Sequence, residues 1–251
     1  EVQTLEKGEI PSNKYMTLSA KASQFDRAEL AIELLEEAQK QAEADLKITE
    51  RLAEYYAQKA EFGNVERVLK QYVDRVREQS PDKHIEALRQ VANWSKRRQN
   101  YTLAQYFYER ILELDENNPR TLLELAEIQT SQNKIDEIRI TLERYIKASR
   151  REDPALNDAA RIYRRLRMFK EAEELYKELI KKEPAKLVYA NNLADLYLRQ
   201  SRYDEARPLF ETALAQLRGL EGDTSPNTIV TMSNLALLYE KMALYDLALP
   251  L

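Results

Sequence analysis

The sequence has no cysteine, which excludes a disulfide framework, a thiol nucleophile and a thiolate metal site. It has one histidine. With no second histidine and no cysteine beside it, His84 supports neither a zinc site nor a catalytic triad, and it reads as a surface residue near a helix start. The four glycines, Gly8, Gly63, Gly219 and Gly222, form neither a phosphate-cradling loop nor a dinucleotide fingerprint. Adjacent acids such as Glu36-Glu37 and Glu173-Glu174 are ordinary helix-surface charge, since nothing sets two carboxylates across a cleft. We therefore expect no catalytic residue, no metal and no cofactor. The chain reads as a non-enzyme.

Other shortages narrow the class further. No apolar run approaches the length of a membrane span. The start, Glu1-Val2-Gln3, is neither a signal peptide nor an initiator Met, which points to a chain that is processed or cut from a longer one. Thirty-nine basic residues against 43 acidic ones leave a net charge of −4. That balance gives no bulk attraction to nucleic acid or to an anionic membrane, so neither is expected as a partner. A cytoplasmic location is the expectation.

What is present is helical material. A third of the residues are charged, 43% are hydrophobic, and only eight are proline, a composition that suits long solvated helices joined by short turns. At 251 residues the chain is long enough to bury a substantial core. It also repeats itself. Leu193, Ala194, Tyr197, Tyr203, Ala206, Phe210 and Ala213 echo Ala159, Ala160, Tyr163, Phe169, Ala172, Tyr176 and Leu179, each 34 residues earlier. A period of that length marks stacked helix pairs, none of which can bury its apolar face alone.

Counting each unit from three residues before its first apolar position, units start at Ile85, Pro119, Asp153 and Leu187, spaced 34 apart, and again at Ile229 after a step of 42. Earlier units start at Leu46 and, in degenerate form, near Glu9. The eighth position holds Ala53, Ala92, Ala126, Ala160, Ala194 and Ala236. The seventeenth holds Phe25, Phe62, Tyr101, Ile135, Phe169, Tyr203 and Tyr245, and the twentieth runs Ala28, Val65, Ala104, Ile138, Ala172, Ala206 and Ala248. Small residues at eight and twenty let two antiparallel helices approach, and the residue at seventeen is expected to fill the turn. Asp26, Asp204 and Asp246 follow it, where a carboxylate can accept the free N–H groups opening the second helix. Leu114 to Pro119 and Lys181-Lys182-Glu183-Pro184 read as stops between units. The segment Gly219 to Asp223 reads as a turn.

This pattern resembles tetratricopeptide repeats, well over 46–251 and poorly over 9–45. The longer last step, with Asn191-Asn192-Leu193-Ala194, Asn234-Leu235-Ala236 and the matched Pro208 and Pro250, is similar to repeats of kinesin-light-chain type. The resemblance implies an all-α fold, a right-handed superhelical solenoid of antiparallel helix pairs. Residues 11–251 are then a single array of about seven units, the first degenerate and the last truncated, with residues 1–10 a mobile segment or linker. Ser95 and Gln129 stand where the family usually has Tyr, so looser packing is expected there.

In such an array the first helix of each unit lines a concave groove. Helical geometry puts the groove-facing positions at two, five, six, nine, twelve and thirteen. Those positions hold Arg89 and Asn93 in one unit and Asn157, Arg161, Arg164 and Arg165 in another. Asn191, Asn192 and Arg199 occupy them in the next, and Asn234 in the last. We take these as the candidate peptide-binding residues. An asparagine carries a donor and an acceptor and can pair with the backbone of an extended peptide. At about 0.5–1.5 kcal/mol net per hydrogen bond, four of them need help from pockets or charge to reach micromolar affinity. Asparagine also tolerates a helix surface or bonds its neighbour. The arginines can meet acidic groups on a partner, or be neutralised by Glu124, Glu127, Asp158 and Asp195, which is the blander reading. Arg89 and Asn93 resemble half of the carboxylate clamp that reads chaperone tails, but the following units offer Glu124 and Asp158, of the wrong charge, and the clamp is rejected.

The function expected is a protein–protein interaction module holding an extended or helical segment of a partner. Two alternatives stand beside it: a sensor or regulatory arm of a larger effector, such as a protease or signalling enzyme, and a scaffold that self-associates through the apolar Leu247, Leu249 and Leu251 at its end.

Overall fold

A computed structural model describes residues 11–41 and 45–250. The segment read as mobile, 1–10, and Leu251 lie outside the described residues. The chain divides into two compact units, 1–116 and 117–251. The first contains α1 (Ser12–Gln24), α2 (Ala28–Gln41), α3 (Leu46–Gln58), α4 (Phe62–Gln79), α5 (His84–Arg97) and α6 (Tyr101–Leu114). The second contains α7 (Pro119–Ser131), α8 (Ile135–Ala148), α9 (Asp153–Arg165), α10 (Phe169–Lys182), α11 (Leu187–Arg199), α12 (Tyr203–Glu221), α13 (Pro226–Lys241) and α14 (Tyr245–Ala248). Among the described residues there is no strand, and no helix is long and apolar enough to cross a membrane. Within each unit the helices pack on neighbours one or two places along the chain, as stacked helix pairs must. The expected all-α array of helix pairs is what is found.

Each pair closes through one turn chemistry. The fifteenth residue of the repeat is left-handed, with φ between 56 and 60° at Asp26, Ala60, Gln99, Asn133, Arg167, Ser201 and Ala243. The residue after it donates its N–H back to the carbonyl of the eleventh: Glu61 to Tyr56 at 2.8 Å, Asn100 to Ser95 at 3.0 Å, Met168 to Tyr163 and Arg202 to Tyr197 at 2.9 Å. This is the Schellman arrangement, which satisfies carbonyls that the helix end leaves open. Glycine is absent from every one of these positions.

The same turn corrects the first unit. Asp26 is its left-handed residue, so the unit starts at Ser12, 34 residues before Leu46, and not near Glu9. In this register the eighth residue is Ser19 and the twentieth Ala31, exposed by 1% and 0%. Phe25 belongs to the turn, and Ala28 opens α2.

The core follows the small-residue register. Ala53, Ala92, Ala126, Ala160 and Ala194 are fully buried, as are Ala104, Ile138, Ala172 and Ala206, and Tyr56, Tyr163, Tyr197 and Tyr239 are buried at the eleventh position. A larger side chain at the alanines would force the helices apart at about 1–3 kcal/mol. Where Tyr is missing, Ser95 and Gln129 are buried too, and Ser95 donates to the Val91 carbonyl at 2.8 Å. Trp94 is buried as packing, while His84 stands at the helix start as expected, the first residue of α5, and is half-buried.

Three further local readings change. The seventeenth residue is the first of each second helix and does not fill the turn at Phe62 or Tyr245, which are 61% and 60% exposed. No side chain caps α12, and Asp204 lies inside its first turn, where the helix dipole favours a carboxylate. Side-chain caps occur instead at Asp45, Asn100 and Asn118. Finally, α12 runs on through Gly219 to Glu221, and the turn begins at Gly222, whose φ of 79° suits glycine. The long steps of the repeat therefore come from two long second helices, α4 of 18 residues and α12 of 19.

Candidate binding site

In the unit 117–251, the surface of the first helix in each pair carries the residues that the register selects. A cavity of about 680 Å³ opens between α7, α9 and α11. Arg161, Arg164 and Arg165 of α9 and Arg199 of α11 line it, joined by Arg167 from the α9–α10 turn. Glu127 of α7 and Asp158 of α9 stand in the same wall, and Leu123, Ile162 and Phe169 supply its apolar part. Positions five, six, nine, twelve and thirteen of three successive repeats thus meet in one space, which is what a 3.6-residue period places on one face.

The arginines differ in how they are held. Asp195, buried in α11, takes Arg164 from the preceding repeat and Arg199, at 3.0 Å, from its own helix. Arg161 reaches Asp158 at 3.5 Å, and Asp158 also accepts from the Tyr145 hydroxyl at 3.3 Å. Burial first, and then the Asp158 charge, push the Tyr145 phenol up to about 12, so it remains a donor. Arg165 and Arg167 are exposed and have no acidic partner among the described residues. Two of these arginines are fixed by an internal carboxylate, one is loosely paired, and two are open.

The asparagines divide likewise. Asn192 donates to the Asn157 side chain at 3.3 Å across two repeats, so this pair is partly self-satisfied. Asn191 is half-buried, and its Oδ1 is buried without a partner beside a second cavity of about 360 Å³ between α11, α12 and α13. Asn234 is half-buried on α13. In the other unit, Asn93 accepts from the Tyr108 hydroxyl at 2.6 Å, and Arg89 is only 8% exposed and lies 3.8 Å from Glu86. The register thus brings Arg161, Arg164, Arg165 and Arg199 into one cavity but leaves Arg89 inside the packing.

Two further residues shape the site. Asp195, expected from the sequence to neutralise arginines, does so for two of them, one four residues away and one 31. Arg167 enters the wall from the left-handed turn that follows α9.

Two models of the tetratricopeptide repeat match the chain, one over residues 155–187 and one over 187–251. A solved chain from Podospora anserina, described as kinesin light chain nearly identical TPR-like repeats, superposes with a TM-score of 0.56. It shares 16% identity and covers 67% of this chain and 91% of its own. The MamA protein superposes with a TM-score of 0.50 at 16% identity, covering 67% of this chain and 88% of its own. At such identity these likenesses speak for the fold alone. None of the curated proteins matches the sequence. Residues 155–251 match the tetratricopeptide repeat, and the fold of successive helix pairs agrees with it.

Proposed function

We propose that the chain is a protein–protein interaction module that holds an extended or helical segment of a partner in a groove lined by the first helices of its repeats. The tetratricopeptide fold supports the broader role of interaction or scaffold module. The observation that carries the finer one is the meeting of α7, α9 and α11 side chains, from three successive repeats, around one cavity. Such a surface offers polar groups in file along the array, which suits a segment of chain better than a small compact substrate. The half-buried Asn191, Asn192 and Asn157 supply amides for a peptide backbone, and the arginines supply charge. The same reading takes residues 11–251 as one array of about seven repeats.

A random dodecapeptide library displayed on phage tests this. Enrichment of binders is expected, and the double variant Asn191→Ala with Asn192→Ala should weaken the selected peptides at least fivefold with far-UV circular dichroism unchanged. Failure to enrich any peptide, or binding indifferent to every groove substitution, would sink the groove. Loss of helicity in the variant would assign these asparagines to the fold.

A further inference from the structure

We infer that the segment seated between α7, α9 and α11 is acidic, and that its carboxylates are taken by Arg161, Arg165 and Arg167 while Asp195 holds Arg164 and Arg199 as a fixed basic floor. This rests on the groove reading and adds the chemistry of the occupant.

Charge complementarity carries the argument. Five guanidiniums share the cavity region with three carboxylates, those of Glu127, Asp158 and Asp195, in a chain whose overall charge is −4. A local positive excess against a negative whole is not a by-product of composition. Like charges gathered in a concave space repel one another, and the low-dielectric walls strengthen that repulsion. Asp195 offsets it only for the two arginines it binds. Arg165 and Arg167 are left open, and the Arg161 guanidinium rests on Asp158 at only 3.5 Å with 61% of its side chain exposed. These three can turn to a ligand without breaking a buried ion pair.

Geometry sets the occupant as a peptide. Asn157, Arg161 and Arg165 are spaced i, i+4 and i+8 along α9 and so share one stripe. The amide pair of Asn157 and Asn192 lies at one end and the guanidiniums at the other. Amides match a peptide backbone, and planar guanidiniums match carboxylates two oxygens at a time. A nucleic acid would need a basic track free of acids, and Glu127 and Asp158 interrupt this one.

The test uses the whole chain and a labelled glutamate-rich dodecapeptide, with the same peptide carrying glutamine for glutamate as reference and single-stranded polyuridine as competitor class. The acidic peptide is expected to bind at least tenfold tighter than its glutamine counterpart and to weaken severalfold between about 50 and about 300 mM salt. Arg165→Gln with Arg167→Gln should cost at least fivefold. Gln99 already occupies the turn position of Arg167 in another repeat, so the variant is expected to fold. Lys147→Gln with Lys181→Gln, an equal change of charge at exposed sites away from the cavity, should leave binding within twofold. Equal binding of the two peptides, or equal loss in both double variants, overturns the inference. Tighter binding of polyuridine through the same arginines overturns it in favour of nucleic acid. Library binders that are neutral would leave the groove standing and remove the acidic occupant, whereas an unenriched library removes the groove itself.

Discussion

Glu173 on α10 accepts hydrogen bonds from Tyr197 at 3.0 Å, Arg202 at 2.7 Å and Lys177 at 2.6 Å, and so ties one repeat to the next. Burial pushes its carboxyl up, but the bonds from Arg202, Lys177 and Tyr197 outweigh it and hold the group down at about 2. Tyr56 with Glu36 at 2.6 Å and Tyr239 with Glu211 at 2.9 Å repeat the contact elsewhere. A carboxylate depressed on folding stabilises the protein above its unfolded value of 4.5, and the contribution disappears as pH falls toward about 2. Its side chain is 16% exposed, so solvent screens it little. Glu173→Gln is expected to lower stability at neutral pH by about 1–3 kcal/mol. The gap between wild type and variant should close between pH 4.5 and about 2 when denaturant midpoints are followed. A gap that does not change with pH would show that the charge contributes nothing. These tyrosines were legible as core positions, but their partners were not. Glu36 and Glu211 share the twenty-fifth place of their repeats while Glu173 holds the twenty-first, and the separation from the tyrosine runs from 20 to 24 to 28 residues, so no fixed spacing announces them.

Among the elements, the hairpin turns are the most uniform feature and the least visible in the sequence. A left-handed residue usually advertises itself as glycine, and here Ala60, Gln99, Arg167, Ser201 and Ala243 fill that place. Each carries a cost of roughly 1 kcal/mol relative to glycine. Ala60→Gly is therefore expected to raise stability by about 0.5–1 kcal/mol, read as a higher urea midpoint at unchanged slope. A lower midpoint would mean that glycine's added freedom in the unfolded chain wins. The absence of this signal also explains the misplaced first unit. Phe25-Asp26 imitates the aromatic-aspartate pair that opens α12, Tyr203-Asp204, and draws the register three residues out of step. Helix existence, pairing and the 34-residue period were readable, because small residues at eight and twenty are forced by close packing. The extension of α12 through Gly219 was not, since one glycine is tolerated inside a long helix that buries Leu214 and Leu217.

For the whole molecule, the packing is local: substantial contacts join helices one or two places apart. A compact unit of this kind carries its own core, with Leu122, Leu156, Leu179, Leu196 and Phe210 fully buried in 117–251. The piece 117–251 made alone is expected to keep its helical circular dichroism and a sigmoidal urea transition. A featureless, linear loss of signal would show that it needs residues 1–116 to fold. The candidate site was legible to the extent that position alone decides it. Position selected Arg161, Arg164, Arg165 and Arg199 together, but it could not say that Arg89 is buried or that Asn157 and Asn192 bond each other. Those outcomes depend on how long side chains settle between repeats.

Packing between chain neighbours also sets a clock. A ribosome adding about 5–20 residues per second delivers one 34-residue repeat in roughly 2–7 s. Helices form in about a microsecond, and proteins rich in local contacts fold within micro- to milliseconds. Each helix pair can therefore find its neighbour long before the next one emerges. Assembly keeps pace with synthesis, and the apolar face of the newest pair is the only one left waiting for cover.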